Sequence, residues 1–268
     1  MKPIIRWLGG KTQLLPEIRS RLPLQYQRYY EPFLGGGAVV FDLLPDQAVV
    51  SDKNDELINL YNQLKTNWQG VCNLAATLSN DAITYYQIRA WDRQPDFKQE
   101  DAAKRAARFL YLSKTSFNGL YRTNSKRGYH NAAYGKRKTY TIDPVVLKDF
   151  SDRIQTITFT TDDFETIIKL ADKDDFVYLD PPYIPISTTA HFTSYTVGGF
   201  TDADQVRLRD CCQSLHDRGG KFLLSNSDCS RTHQLYSQFS IETVSAKRLV
   251  SCKRTARGNV SEVLIRNY

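Results

Sequence analysis

The run Phe176-Val177-Tyr178-Leu179, stopped by Asp180-Pro181-Pro182-Tyr183, constrains the fold more than any other stretch of the chain. Consecutive apolar residues rich in aromatic and β-branched side chains read as a buried strand, and two prolines end it in a rigid loop. Each proline fixes φ and removes a backbone donor, so the carbonyls at the strand's end face the mouth of the sheet without competing N–H groups. A carboxylate, a free carbonyl and an aromatic face therefore fall within four residues.

The rest of the chain alternates around that strand. A short strand near Tyr29 leads through Gly35-Gly36-Gly37 into a helix over 38–44, and a strand over 49–51 ends at Asp52. After the middle of the chain the alternation resumes. A strand over 157–160 is followed by Asp162-Asp163-Phe164, which opens a helix to about Leu170. A helix over 202–217, a strand over 221–224 and strands over 240–244 and 262–266 complete the set. This order predicts an α/β fold with a Rossmann-like sheet. Residues 54–78, 85–91 and 102–112 are helical without strand alternation, and a further helix is expected over 11–22. The chain thus divides into a discontinuous α/β domain, 1–54 and 155–268, and a helical insertion, 55–154. The stretch Ile184–Phe200 is long for an ordinary connection and reads as a lid or binding loop.

The glycines indicate what the sheet could hold. Trp7-Leu8-Gly9-Gly10-Lys11-Thr12 invites a phosphate-loop reading, but position 5, where the motif needs glycine, is Ile5. A glycine turn that admits a ligand beside Trp7 and Lys11 remains. Strand, glycine bend, helix and a second strand tipped by Asp52 form half of a nucleotide-binding unit, with the acid placed for ribose hydroxyls. The dinucleotide fingerprint is missing, which suits an adenosine without phosphates such as S-adenosylmethionine. A plain glycine turn with a surface aspartate is the alternative. At the strand stop, Asp180 and the Pro181 carbonyl could accept both hydrogens of a planar amine, favouring the tetrahedral nitrogen that attacks a methyl donor, while Tyr183 stacks on the ring.

Charge is segregated along the chain. Between Ala102 and Ile142 there are ten Lys or Arg residues and no Asp or Glu, so with a total of +7 the remainder carries 7 − 10 = −3. A basic segment in a mildly acidic protein suits a polyanionic partner, although a solvated basic face would look the same. Within it, Phe117-Asn118-Gly119-Leu120-Tyr121-Arg122-Thr123-Asn124 is followed by a hairpin signal at 125–128. Asn118, Asn124 and Arg122 are side chains that read base edges; Lys126, Arg127, Lys136, Arg137 and Lys138 can hold phosphates, and Phe117 can stack or wedge between bases. A second basic loop spans 247–258. Five cysteines lack metal spacing and the four histidines are scattered, so reduced thiols and no metal site are expected. No apolar stretch reaches membrane-span length, and Met1-Lys2-Pro3-Ile4-Ile5-Arg6 shows no apolar signal region, so neither a span nor a signal segment is expected.

Taken together, Trp7-Leu8-Gly9-Gly10-Lys11, Glu31-Pro32-Phe33-Leu34-Gly35-Gly36-Gly37, Asn118-Gly119-Leu120-Tyr121-Arg122, Asp180-Pro181-Pro182-Tyr183 and Ser225-Asn226-Ser227-Asp228 resemble the Dam-type (D12 class, alpha group) DNA adenine-N6 methyltransferases. The resemblance covers nearly the whole chain and keeps the motifs in the family's order. It implies a methyltransferase sheet with an inserted target-recognition region, acting on double-stranded DNA within GATC by base flipping, as a cytoplasmic, nucleoid-associated monomer. It places Trp7, Lys11, Phe33, Gly35, Asp52, Asp163, Phe164 and Asp180 around S-adenosylmethionine, with Asp180, Pro181 and Tyr183 as the catalytic set. The chain departs from the family at Lys114-Thr115-Ser116-Phe117 and Asn131-Ala132-Ala133-Tyr134-Gly135, which bears on the sequence read rather than on the chemistry. An amine methyltransferase acting on RNA or on protein glutamine, and a DNA-binding module without turnover, are the competing classes.

Overall fold

The structure, a computed structural model, describes residues 1–124, 127–186, 199–247 and 259–268. Lys126, most of the long connection after Ile184 and the basic stretch 248–258 lie outside the described residues. Seven strands form one sheet: β1 (Tyr29–Glu31), β2 (Ala48–Ser51), β3 (Ile157–Thr160), β4 (Phe176–Leu179), β5 (Lys221–Ser227), β6 (Ser240–Lys247) and β7 (Asn259–Arg266). Their spatial order is β3-β2-β1-β4-β5-β7-β6. The first five in that order run parallel and β7 pairs antiparallel with both β5 and β6. The chain leaves β1 toward β2 and β3, then returns to β4 on the other side of β1. That reversal opens a crevice at the carboxyl ends of β1 and β4, where α/β sheets of this type take ligands. Glu31 closes β1 and Asp180 follows β4, so the two acids flank the crevice.

Ten helices are described: α1 (Leu15–Arg19), α2 (Val40–Leu43), α3 (Asp55–Thr66), α4 (Trp68–Ala76), α5 (Ala82–Ala90), α6 (Ala102–Thr115), α7 (Pro144–Arg153), α8 (Phe164–Leu170), α9 (Asp202–Asp217) and α10 (Ser230–Leu235). The strands' period of two divides the core. Tyr29, Val50, Phe159, Phe176 and Tyr178 share one cluster with Leu57, Val71, Phe109 and Phe150 of α3, α4, α6 and α7. Tyr30, Val177, Leu179, Phe222 and Leu224 share the other with Ile167, Leu208 and Leu235 of α8, α9 and α10. All four residues of β4 are buried, as a central strand covered on both faces requires. A smaller cluster of Tyr85, Ile88, Tyr111 and Leu112 supports the far end of the helical segment.

Local chemistry sets the boundaries. The helix expected over 11–22 is a 3-10 turn at Lys11–Gln13 followed by α1, because Pro16 lacks an N–H and belongs in a first turn. The stretch 54–78 divides at Asn67, whose side chain accepts from Gly70 N and starts α4. Asp101 and Asp163 cap α6 and α8, and Thr201 with Asp204 forms a capping box on α9. The hairpin signal is flanked by a Thr123–His130 bridge and a bond from Asn131 N to Arg122 O, 2.9 Å.

Candidate active site

Backbone geometry builds the crevice first. Gly35 lies at φ +49°, and a Cβ there would fall 2.7 Å from Trp7 Cδ1; one on Gly36 would fall 2.8 Å from Trp7 Cβ. Only glycine lets the bend after β1 lie against the indole. Asp52 holds that bend from the neighbouring strand: its Oδ2 accepts from Gly35 N (2.9 Å) and its Oδ1 from Asn54 N (2.9 Å). Burial pushes the Asp52 carboxyl upward against these two hydrogen bonds. Its oxygens keep acceptor capacity, since each carboxylate oxygen offers about two lone-pair directions.

Asp180 Oδ1 receives Lys11 Nζ at 2.8 Å and Ser225 Oγ at 3.1 Å. Lys11 is itself buried, donates to Gly9 O at 2.8 Å, and lies 4.7 Å from the Tyr183 ring centroid. Burial raises the Asp180 carboxyl, and Lys11 and Ser225 oppose that rise. Gln205 of α9 donates to Pro182 O at 2.8 Å. Asn226 Oδ1 accepts from Ile184 N at 3.0 Å, and Ser227 Oγ donates to Ile184 O at 2.6 Å. The loop is pinned on both sides of Tyr183. Among the described residues Asp180 Oδ2 and the Pro181 carbonyl receive no hydrogen bond.

Other expected residues form the crevice wall. Phe33 stacks on Phe164 with centroids 5.4 Å apart, and Phe200, which the sequence did not single out, completes an aromatic trio. Asp163 caps α8 and takes a two-pronged contact from Arg207 at 2.8 and 3.3 Å. Burial would raise its carboxyl, but Arg207 and the Glu165 N–H hold it below the usual range. Arg207 also lies 4.1 Å from the Phe164 ring centroid. The acid that sequence reasoning passed over is Glu31. It is fully buried, and its Oε2 accepts from Tyr29 Oη (2.7 Å) and Val40 N (3.0 Å). Burial raises its pKa to about 8, with the Asp180 charge adding to the rise. Glu31 keeps its proton at neutral pH, so Asp52 and Asp180 against Lys11 leave one acid in excess, which fits a cationic guest, and the half-buried Phe33 ring, backed by Phe164, offers an apolar wall.

The basic segment resolves into two parts. On α6, Lys104, Arg105 and Arg108 pair with Glu100, Glu56 and Asp92, all outside the acid-free stretch. Those three charges serve packing, so the count of ten overstates what a polyanion would meet. Among the described residues, Lys114, Arg122, Arg127, Lys136, Arg137 and Lys138 pair with no carboxylate. Arg122 is exposed, and its Nε donates to Asn131 Oδ1 at 3.1 Å, which orients the guanidinium. Asn124 Oδ1 accepts from Arg127 N at 3.1 Å. Phe117 is 60% exposed, large for an apolar ring, and Asn118 beside it sits at φ +58°. Gly135 is obligatory, because a Cβ there would fall 2.5 Å from Ser116 O.

The two regions share a support. Leu120 bridges Arg6 in parallel, and Tyr121 stacks on Phe109 (3.9 Å), with the His130 ring tilted against it (4.6 Å) and Trp7 6.3 Å away. His130 is fully buried, and burial with the neighbouring arginines drops its pKa to about 3, so it is neutral. No local pattern in the sequence shows this column, whose members come from three distant segments.

Residues 7–250 match the family described as D12 class N6 adenine-specific DNA methyltransferase. The chain is 41% identical over its whole length, and over 96% of the relative, to the type II methyltransferase M1.LlaDCHI of Lactococcus lactis subsp. cremoris. It is 37% identical to the type II methyltransferase M.MjaIII of Methanocaldococcus jannaschii, covering 100% of the chain and 99% of the relative. With the DNA adenine methylase of Escherichia coli K12 it shares 33% identity over 98% of the chain and 94% of that protein.

Proposed function

The chain belongs to the D12 class of N6 adenine-specific DNA methyltransferases, and from that premise we propose how its own residues carry out the transfer. The observation behind the reading is a pair of acceptors without a partner among the described residues, Asp180 Oδ2 and the Pro181 carbonyl, on the loop that carries Tyr183. The adenine amino nitrogen is a poor nucleophile while its lone pair is delocalised into the ring. Two acceptors on its hydrogens favour the tetrahedral form and stabilise the positive charge that develops on nitrogen during attack. Lys11 and Ser225 hold Oδ1, which leaves Oδ2 for the amine.

S-adenosylmethionine, when bound, supplies an electrophilic methyl group carried on a cationic sulfur. Gly35 and Trp7 would shape its seat, Asp52 would offer acceptors to the ribose, Phe33 with Phe164 stacked behind it would offer an apolar face to the adenine, and Asp163 lies at the same wall. The excess of Asp52 and Asp180 over Lys11 supports this assignment. The segment 55–154 is the target-recognition insertion, and the discontinuous remainder, 1–54 and 155–268, is the catalytic domain. Arg122, Asn118 and Asn124 read base edges, Lys126, Arg127, Lys136 and Arg137 hold phosphates, and Phe117 wedges at the opened step. The target adenine leaves the duplex by flipping, because its amino group is otherwise held in a base pair. The sequence we propose is GATC, on the resemblance to Dam-type enzymes, with a monomer acting on DNA in the nucleoid.

Transfer of labelled methyl groups to duplex DNA, against RNA and protein acceptors, tests the substrate. Mapping methylated adenines in DNA from cells expressing the chain tests the site. Methylation concentrated at any sequence other than GATC would refute that part of the reading.

A further inference from the structure

We propose that Glu262 is a positioning residue, fixing the ring plane of Tyr183 for stacking against the target base; the inference rests on the base-stacking reading of Tyr183. Tyr183 Oη donates to Glu262 Oε2 at 2.7 Å. The backbone on either side is already held, through Gln205 to Pro182 O and through Asn226 and Ser227 to Ile184. What remains free is rotation of the side chain. An anchor on the hydroxyl, the far end of the ring, removes that freedom. Glu262 is a stiff anchor, because β7 places it between Ser227 of β5 and Val244 of β6.

The Glu262 carboxylate is half-buried and forms no ion pair among the described residues; Tyr183 is the one side chain hydrogen-bonded to it there. A phenol donating to a carboxylate makes a short, directional bond that a neutral acceptor makes less strongly. Lys11 lies over the Tyr183 ring, so the two groups constrain the ring from its face and from its tip.

The test compares Glu262→Ala, Glu262→Gln, Tyr183→Phe and the double variant Glu262→Ala/Tyr183→Phe in the full chain. The measurements are kcat and KM for duplex DNA, cofactor Kd, and fluorescence of 2-aminopurine placed at the target adenine. Glu262→Ala should lower kcat about 10- to 100-fold, as expected for a lost hydrogen bond to a charged group, with cofactor Kd unchanged. Glu262→Gln keeps an acceptor and should recover most of the rate. The double variant should match Tyr183→Phe alone, because both substitutions remove one bond. The 2-aminopurine signal should shift alike in Glu262→Ala and Tyr183→Phe. Wild-type kcat in Glu262→Ala, or effects that multiply in the double variant, would overturn the proposal. Tyr183→Phe removes the same bond without touching β7, so full turnover there overturns it even if the alanine variant does not fold. Full turnover in Tyr183→Ala would instead remove the stacking role on which the inference stands.

Discussion

Replacing Asp180 by asparagine reverses the polarity of the proposed acceptor pair at nearly constant volume. The amide oxygen would remain toward Lys11 and Ser225, which hold Oδ1 at 2.8 and 3.1 Å. The amide nitrogen would then take the place of Oδ2 and present a donor to an amine that itself donates. Losing one preorganised electrostatic contact to a developing charge costs about 10²–10³ in kcat. Leaving a donor unsatisfied in a buried site adds about 1–3 kcal/mol, roughly another 10- to 100-fold. The expected loss is therefore about 10³- to 10⁵-fold in the methyl-transfer step. Single-turnover transfer of tritiated methyl at saturating cofactor and duplex measures that step, with both Kd values determined separately. Turnover within about tenfold of wild type, or a loss explained wholly by weaker cofactor or duplex binding, would refute the acceptor role.

Arg122→Ala should cost about 1–3 kcal/mol of discrimination at one base pair; an equal fall in kcat/KM across all single-base variants of the site would make Arg122 a phosphate contact. Neutralising Lys126, Arg127, Lys136 and Arg137 together should weaken binding to every duplex and flatten its salt dependence by about 0.9 in log–log slope per lost phosphate contact. Equilibrium binding over a range of salt concentrations checks this, while Lys104→Gln, paired to Glu100 on α6, should leave that slope unchanged. Glu31 gives a pH prediction. Its folded pKa of about 8 lies above its ordinary value of 4.5, so the folded state binds the extra proton between those limits. The stabilisation is fully present below the unfolded pKa and is lost as pH rises through 8. Denaturant titrations should show stability falling by a few kcal/mol over that window and a flatter profile in Glu31→Gln; parallel profiles would refute the assignment.

Sequence patterns located the sheet well because β4 and its proline stop leave few alternatives. The expected bounds of β3, β4 and α9 match the structure. Two helices escaped notice for physical reasons. On α7, Val145 and Val146 are exposed near the start, which blurs the helical period, and α10 is a short polar segment without one. In the site, side chains that sit beside their own motif were legible, as Asp180 and Tyr183 show. Gln205, Glu262 and Phe200 reach the catalytic loop or its aromatic wall across the fold, so no local spacing announces them. The burial of Glu31 is likewise a property of packing. The basic count misled for the same reason, since Glu56 and Asp92, which neutralise α6, precede the acid-free stretch.

The column from Trp7 through Phe109 and Tyr121 to His130 limits how specificity could be re-engineered. A loop that merely hung from the helical segment could be exchanged between relatives by grafting residues 116–135. Here Tyr121 leans on Phe109 of α6 and Leu120 pairs with Arg6, two residues that lie outside the graft. Trp7, at the other end of the column, is the indole against which Gly35 and Gly36 close. A donor loop with a smaller residue at 121 would leave a void of ring size beneath the glycine bend. The transplantable unit is therefore noncontiguous: residues 4–8 and position 109 must travel with the loop.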